Sequence, residues 1–362
     1  MRLHSLLLVP VLLGLVVHAE PGDPANPFAG GWGPAPVNGS FRLDDSIVWC
    51  GSPVRHDDGR YYLFASRWPR TLGMSAWVTN SEIVLASSDK PEGPYRLDGP
   101  VLPARGPAYW DGCATHNPSI HRHNGGYVLF YTGIRYDFPI PTNTPPTRAD
   151  YERAWNTKRI GVATAPAPQG PWTRLDHPVL EPRPGKWDAA ITSNPAAVIH
   201  EDGSVLLLYK SAPAPYPERN RNRRLSFGLA RAKTPAGPYE RLNPDAPLRI
   251  SGKNVSVEDP FLWRHDGVYH MIAKAMDVQL VPNHTGFHAW SRDGETWRVS
   301  NPPAAYDMTW VWADGKTETM RKRERPQVLL ENGRPAMVFF ATTRPDGDIF
   351  NTGVRVLPPP ER

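Results

Sequence analysis

Apolar and polar residues alternate along this chain in short runs, each closed by a turn bearing Gly, Asn or Asp, and the pattern recurs. Residues 256–276, SVEDPFLWRHDGVYHMIAKAM, give its plan: a polar pair, a proline, a short apolar run, a turn, then an alternating aromatic and aliphatic segment. Period-2 alternation broken by turn residues predicts paired β-strands. The same grammar returns as GSPVRHDDGRYYLFASR from Gly51, HNPSIHRHNGGYVLFYTG from His116, SNPAAVIHEDGSVLLLYKS from Ser193 and ERPQVLLENGRPAMVFFAT from Glu324. Its prolines fall at 53, 118, 195, 260 and 326, at intervals of 65, 77, 65 and 66 residues.

A fixed period of this size with no amphipathic helix is the mark of a repeat architecture. Each unit has a second half, PEGPYRLDGPVLP from Pro91, PQGPWTRLDHPVLEP from Pro168, PAGPYERLNPDAPL from Pro235 and the looser SRDGETWRVSNPP from Ser291. An alternating segment joins the halves (SEIVLASSD, KRIGVATAP, LSFGLARAK, GFHAWSRDG). Four strands in each of five units predict an all-β chain folded as a five-bladed β-propeller. Only 36 residues follow Pro326, so either the N-terminal stretch completes the fifth blade or the ring closes without a shared strand.

The start of the chain departs from this pattern. Arg2, an apolar run over 6–17 and the small Ala19 read as a secretory signal over 1–19, cleaved before Glu20. A membrane anchor is the alternative, but the run is shorter than the roughly 20 residues that span a bilayer. The expectation is a secreted or periplasmic protein with no membrane association after cleavage, an N-terminal extension over 20–43 and the propeller over 44–362.

Composition adds little to this picture. Forty-two prolines and 30 glycines interrupt helices, while 13 Trp and 13 Tyr suit strands and sugar-stacking surfaces. A net charge of +5 without a basic helix or nucleic-acid motif predicts no nucleic-acid partner. Cys50 and Cys113 precede the first strands of consecutive units, as a disulfide or as two buried thiols. His121 and His123 alternate on one strand without a further ligand at metal spacing, so no metal site is assigned.

The hairpins HDDGR, HNGGY, HEDGS, RHDGV and LENGR share one face of the disc and are structural. The entries to the first strands share the other face. Just before or beside the repeat prolines stand Gly51 and Ser52, His116 and Asn117, Ser193 and Asn194, Glu258 and Asp259, and Glu324 and Arg325. First strands line a propeller axis, so these side chains form a polar ring at its mouth. Two adjacent acids in one unit, and an acid beside an arginine in another, exceed what packing requires. A second tier lies seven or eight residues earlier, at Asp45, Asp111, Asp188 and Glu318, as loop caps or as functional acids. Loops 134–158, 211–224 with Arg219, Arg221, Arg223 and Arg224, and 301–320 with Trp310 and Trp312 are placed on the same face.

The GPY or GPW second halves at 93, 170 and 237, with the proline-centred first strands, resemble the five-bladed propeller glycoside hydrolases of families 43 and 117. The resemblance covers almost all of residues 44–345. It implies a glycosidase with three acids: a first-blade base, a middle Asp that tunes and orients, and a general-acid Glu two residues before its strand proline. Glu258 matches the acid. Ser52 and Asn194 occupy the other two usual positions, so the resemblance passes the base to Asp45, or its neighbour Asp44, and the tuning role to Asp188. Such a pair implies inversion, with the carboxyls roughly 6.5–9.5 Å apart and Glu258 kept protonated by Asp259 or Asp188. His116, Asn117, Asn194, Asp259, Glu324 and Arg325 are then substrate-binding candidates.

The expected partner is a plant or algal polysaccharide or oligosaccharide, with an anionic sugar left open by the arginines. No cofactor is expected, and a single cation in the axial channel is left open. Two other functions fit the same residues: a non-catalytic carbohydrate-binding propeller, and a glycoside phosphorylase with Arg325 and the 219–224 arginines on phosphate.

Overall fold

In the computed structural model, which describes residues 22–214 and 224–358, five antiparallel sheets stand around one axis. The leader read over 1–19, and Arg219, Arg221 and Arg223, lie outside the described residues. No described helix is long and apolar enough to cross a membrane.

Blade 1 comprises β1 (Ser46–Arg55), β2 (Tyr61–Pro69), β3 (Glu82–Ser88) and β4 (Arg96–Leu102), with helix α1 (Trp77–Asn80) in its β2–β3 connection. Blade 2 follows with β5 (Ala114–His123), β6 (Gly126–Ile134), helix α2 (Arg148–Trp155), β7 (Arg159–Ala165) and β8 (Thr173–Arg174). Blade 3 holds β9 (Ser193–Ile199), β10 (Val205–Ser211), β11 (Ser226–Ala232) and β12 (Glu240–Arg241). Blade 4 holds β13 (Val257–His265), β14 (Val268–Ala275), β15 (Gly286–Ser291) and β16 (Arg298–Tyr306). A small hairpin, β17 (Thr309–Val311) and β18 (Thr317–Thr319), leads to blade 5, formed by β19 (Lys322–Glu331), β20 (Arg334–Thr343) and β21 (Ile349–Arg355).

The predicted architecture holds, and the question about the fifth blade is answered by the N-terminal stretch. Trp32 bridges Val356 and Phe41 bridges Asn351, both antiparallel, along the outer edge of β21. Ser40 O also accepts from Tyr95 N of blade 1, so the strap ties the last blade to the first. The innermost strands β1, β5, β9, β13 and β19 neighbour one another in turn, and β1 meets β19 to close the ring. The apolar cores lie between successive blades, for example Phe64, Leu85, Ile120 and Leu129 between blades 1 and 2.

The hairpin turns behave as their residues require. Asn124–Gly125, Asp266–Gly267 and Asn332–Gly333 all take positive φ, which suits the tight turns that match strand twist.

The tryptophan–aspartate and Gly-Pro-aromatic motifs turn out to be one device. In blade 3, Asp188 is fully buried and accepts from Arg183 Nε at 2.9 Å and Tyr209 Oη at 2.9 Å, with Arg241 Nε at 2.8 Å. In blade 2, Asp111 meets Arg105, Arg174 and Tyr131 in the same way. Trp187 stacks on Tyr209 at 6.0 Å and Trp110 on Tyr131 at 5.9 Å. Arg174 and Arg241 are the arginines that follow the Gly-Pro-aromatic segments of blades 2 and 3, so in these two units the second half neutralises the buried aspartate.

Each of these tyrosines lies over a glycine on the third strand, Tyr131 over Gly161 and Tyr209 over Gly228. A Cβ at Gly228 would stand 2.3 Å from Tyr209 Cζ. Gly228→Ala is therefore expected to lower unfolding free energy by about 1–3 kcal/mol through overpacking, measured by denaturant titration; an unchanged midpoint would refute the packing.

Candidate active site

Each first strand carries a β-bulge at the mouth, and the bulge decides which side chains face the axis. Register slips between His116 and Ser119, between Glu258 and Phe261, and between Glu324 and Gln327, and again opposite Leu208 and Lys210 in blade 3. The bulged residues Asn117, Asn194, Asp259 and Arg325 have φ near +50 to +57°. An extra residue in one strand re-aims its neighbours. In blades 2, 4 and 5, consecutive side chains that a flat strand would send to opposite faces thus both line one pocket.

Blade 1 corrects the sequence alignment. Its slip runs from Trp49 to Ser52, and the left-handed residue is Cys50, with φ 61°. Trp49 and Cys50 are therefore the mouth pair, Gly51 stands where the other units have proline, and Ser52 instead accepts from Ile120 N at 3.0 Å.

The bulged side chains link across the axis. Cys50 Sγ donates to Asn117 Oδ1 at 2.7 Å, Asn117 Nδ2 to Asn194 Oδ1 at 2.8 Å, and Asn194 Nδ2 to Asp259 Oδ1 at 2.7 Å. Asp259 Oδ2 accepts from Arg325 N at 3.2 Å, and the buried Arg325 guanidinium comes within 3.8 Å of Asp259 Oδ1. Cys50 and Cys113 are both free buried thiols. Burial pushes Cys50 up to about 12, so it stays a thiol.

Above this floor opens a cavity of about 500 Å³, with Asn117, Asn194, Asp259 and Arg325 below and Trp49, His116, Glu258 and Glu324 around it. Trp77 from blade 1 and Tyr151, Glu152 and Trp155 from the blade-2 insertion build one wall. The insertion over 134–158 lies on the mouth face, as expected, and lines the cavity. The loop over 301–320 does not: Trp310 and Trp312 are buried, and Trp310 packs against the guanidinium of Arg323 at 3.7 Å. Met276 and His284 stand on that side instead.

The wall is held from behind. Lys158, buried, sits 3.4 Å from the ring centre of Trp155 and 5.2 Å from that of Trp77. His116 stacks on Trp77 at 4.8 Å and pairs through Nδ1 with Ser81 Oγ at 2.7 Å. Burial, then the charges of Arg325 and Lys158, depress His116 well below its ordinary value, so the ring is neutral.

Of the candidate residues, the structure brings together Glu258, His116, Asn117, Asn194, Asp259, Glu324 and Arg325. Two do not join them. Asp45 is exposed ahead of β1, accepts from Ser46 Oγ at 2.9 Å and does not line the cavity. Asp188 is consumed by its two arginines and Tyr209, also outside the cavity. Asp44 is likewise exposed and outside it.

Two lysines that sequence reading passed over complete the site. Lys210 pairs with Glu258, and Lys274 with Glu324, each across a blade boundary. Burial pulls Glu258 up, but the charges of Lys210 and Lys274 outweigh it and bring it down to about 2. Burial and the neighbouring Glu258 charge push Asp259 up to about 6. The expectation of a protonated Glu258 is thus reversed, because lysines rather than carboxylates dominate its surroundings. No group of three or more His, Cys, Asp or Glu side chains that could hold a metal ion occurs among the described residues.

No protein-family model matches this chain, and no curated protein matches it in sequence. Solved structures do share its fold. Zg3597, a family 117 glycoside hydrolase produced by the marine bacterium Zobellia galactanivorans, aligns at 18% identity and TM-score 0.63, covering 91% of each chain. BT0996, solved as a complex with RGII, aligns at 15% identity and TM-score 0.62 over 92% of each chain. A GH43_1 enzyme from Xanthomonas citri aligns at 14% identity and TM-score 0.54, over 87% of this chain and 88% of the other. What is common to all at these identities is the five-bladed β-propeller.

Proposed function

We propose that this protein is a glycoside hydrolase whose acid–base pair is Glu258 and Asp259. The observation that carries the reading is geometric: the two adjacent carboxyls line one aromatic-walled cavity in different settings, Glu258 bonded to Lys210 and opposite Lys274, Asp259 on the floor between Asn194 and Arg325. The lysine charges hold Glu258 down, and burial with the Glu258 charge pushes Asp259 up. Environments that push two carboxyls apart assign base and acid. Glu258 takes a proton from the attacking water, and Asp259 gives one to the leaving oxygen. The half-buried Trp77, with the buried Trp49 and Trp155, gives the cavity an aromatic wall of the kind a sugar packs against. This pair replaces the inverting pair of Glu258 and Asp45, since Asp45 stands outside the cavity.

The likeness to family 117 and family 43 glycoside hydrolases, and to a protein in complex with RGII, supports a carbohydrate substrate. The basic and apolar start of the chain supports export, to the medium or the periplasm. Asn194 on the cavity floor, where the families' pattern places an acid, favours a second reading, a carbohydrate-binding propeller without turnover.

The test is product release from a panel of plant and algal oligosaccharides, with and without phosphate, as a function of pH. Asp259 must be protonated to act, so kcat/KM is expected to fall as pH rises through about 6. Saturable sugar binding without product at any pH would favour the binding module, and a requirement for phosphate would favour a phosphorylase.

A further inference from the structure

Opposite each mouth residue, on the second strand of its blade, stands one equivalent side chain: Ser66, Thr132, Lys210, Lys274 and Ala341. In blades 1 and 2 it reaches the next blade's bulge. Ser66 Oγ accepts from Asn117 N at 3.0 Å, and Thr132 Oγ1 from Asn194 N at 3.2 Å. In blades 3 and 4 the same station reaches the next blade's mouth acid, Lys210 to Glu258 and Lys274 to Glu324. Ala341 fills the station in blade 5, so the fold does not require charge there.

Both lysines are deeply buried, with 6% and 3% of their side chains exposed, against 20% for Glu258 and 16% for Glu324. Taking an ammonium out of water is costly, and apolar residues often replace a purely structural buried pair without loss. The charge is therefore placed for the acids. Lys274 is doubly placed, opposite Glu258 on its own sheet and bonded to Glu324 on the next.

We propose that Lys210 and Lys274 are positioning residues that hold Glu258 as a carboxylate and so leave the reaction's transferable proton on Asp259. The assignment rests on the glycosidase reading, but the charge state of Glu258 is measurable without turnover. The other groups acting on this pair are Lys158 just before β7, Cys50 of β1, Glu324 and Arg325 of β19, His284 of the β14–β15 loop and Tyr306 of β16. Lys158, Arg325 and Glu324 stay in place in the variants below.

The experiment is a ¹³C NMR titration of glutamate carboxyls in the full chain, assigned with Glu258→Gln, alongside pH–rate profiles. In Lys274→Met the Glu258 titration and the acidic limb of turnover are expected to move up by about one pH unit or more. Lys274→Arg, which keeps the charge, is expected to restore most of the wild-type titration. A folded Lys274→Met chain with an unmoved Glu258 would overturn the proposal. Lys210→Met carries the same expectation, so a Lys274→Met chain that fails to fold leaves it open to refutation. Movement of Glu258 without hydrolysis of any glycoside would leave the lysine assignment standing and remove the hydrolase; hydrolysis with an unmoved Glu258 would do the reverse.

Discussion

Glu258→Gln is expected to lower kcat roughly 10²–10⁴-fold, the range for loss of a general base. The side chain keeps its size and can still accept from Lys210, so substrate affinity should change far less than kcat. A second consequence separates this from simple loss of contact. The Glu258 charge is one of the influences that raise Asp259. Its removal should make Asp259 more acidic, so the alkaline limb of any residual turnover should move to lower pH. Turnover equal to wild type would take Glu258 out of the mechanism; reduced turnover with an unmoved limb would separate Glu258 from Asp259.

Asp188→Ala is expected to act on the fold. Its carboxylate has no exposure and is shared by Arg183, Arg241 and Tyr209. Removing one member of a buried ionic cluster leaves the others uncompensated and typically costs about 3–5 kcal/mol. Asp111→Ala should behave alike, because Arg105, Arg174 and Tyr131 repeat the arrangement in blade 2. Chemical denaturation of both variants is the measurement. A fully stable Asp188→Ala chain with an altered pH–rate profile would return Asp188 to the role of a tuning acid.

The propeller was legible because its signals are periodic. Proline at the bulge recurs in four of the five units and the Gly-Pro-aromatic turn in three, and each is tied to one backbone event. The site was legible only where it shared that period: Glu258, Asp259, Glu324 and Arg325 were found from their distance to a proline. Blade 1 was misaligned by two residues because Gly51 takes the place of proline after the bulged Cys50 there, and Pro53 is a coincidence of spacing. The lysines lie inside the apolar runs VLLLYKS and YHMIAKA, where the strand alternation draws attention away from single polar positions. Their recurrence at the same station in two blades was the available signal. Asp188 misled for the opposite reason, since its recurrence with Asp111 reflects a shared structural ion cluster.

The bulged entry strand also says something about how such a protein can change. Blades 2, 4 and 5 each offer the central hollow two adjacent letters, and the hydrogen-bonded ladder resumes immediately beyond them. Rewriting those letters exchanges the groups a ligand meets while the scaffold below is untouched. A new specificity could therefore be installed blade by blade, each step reversible and none demanding that the disc be rebuilt.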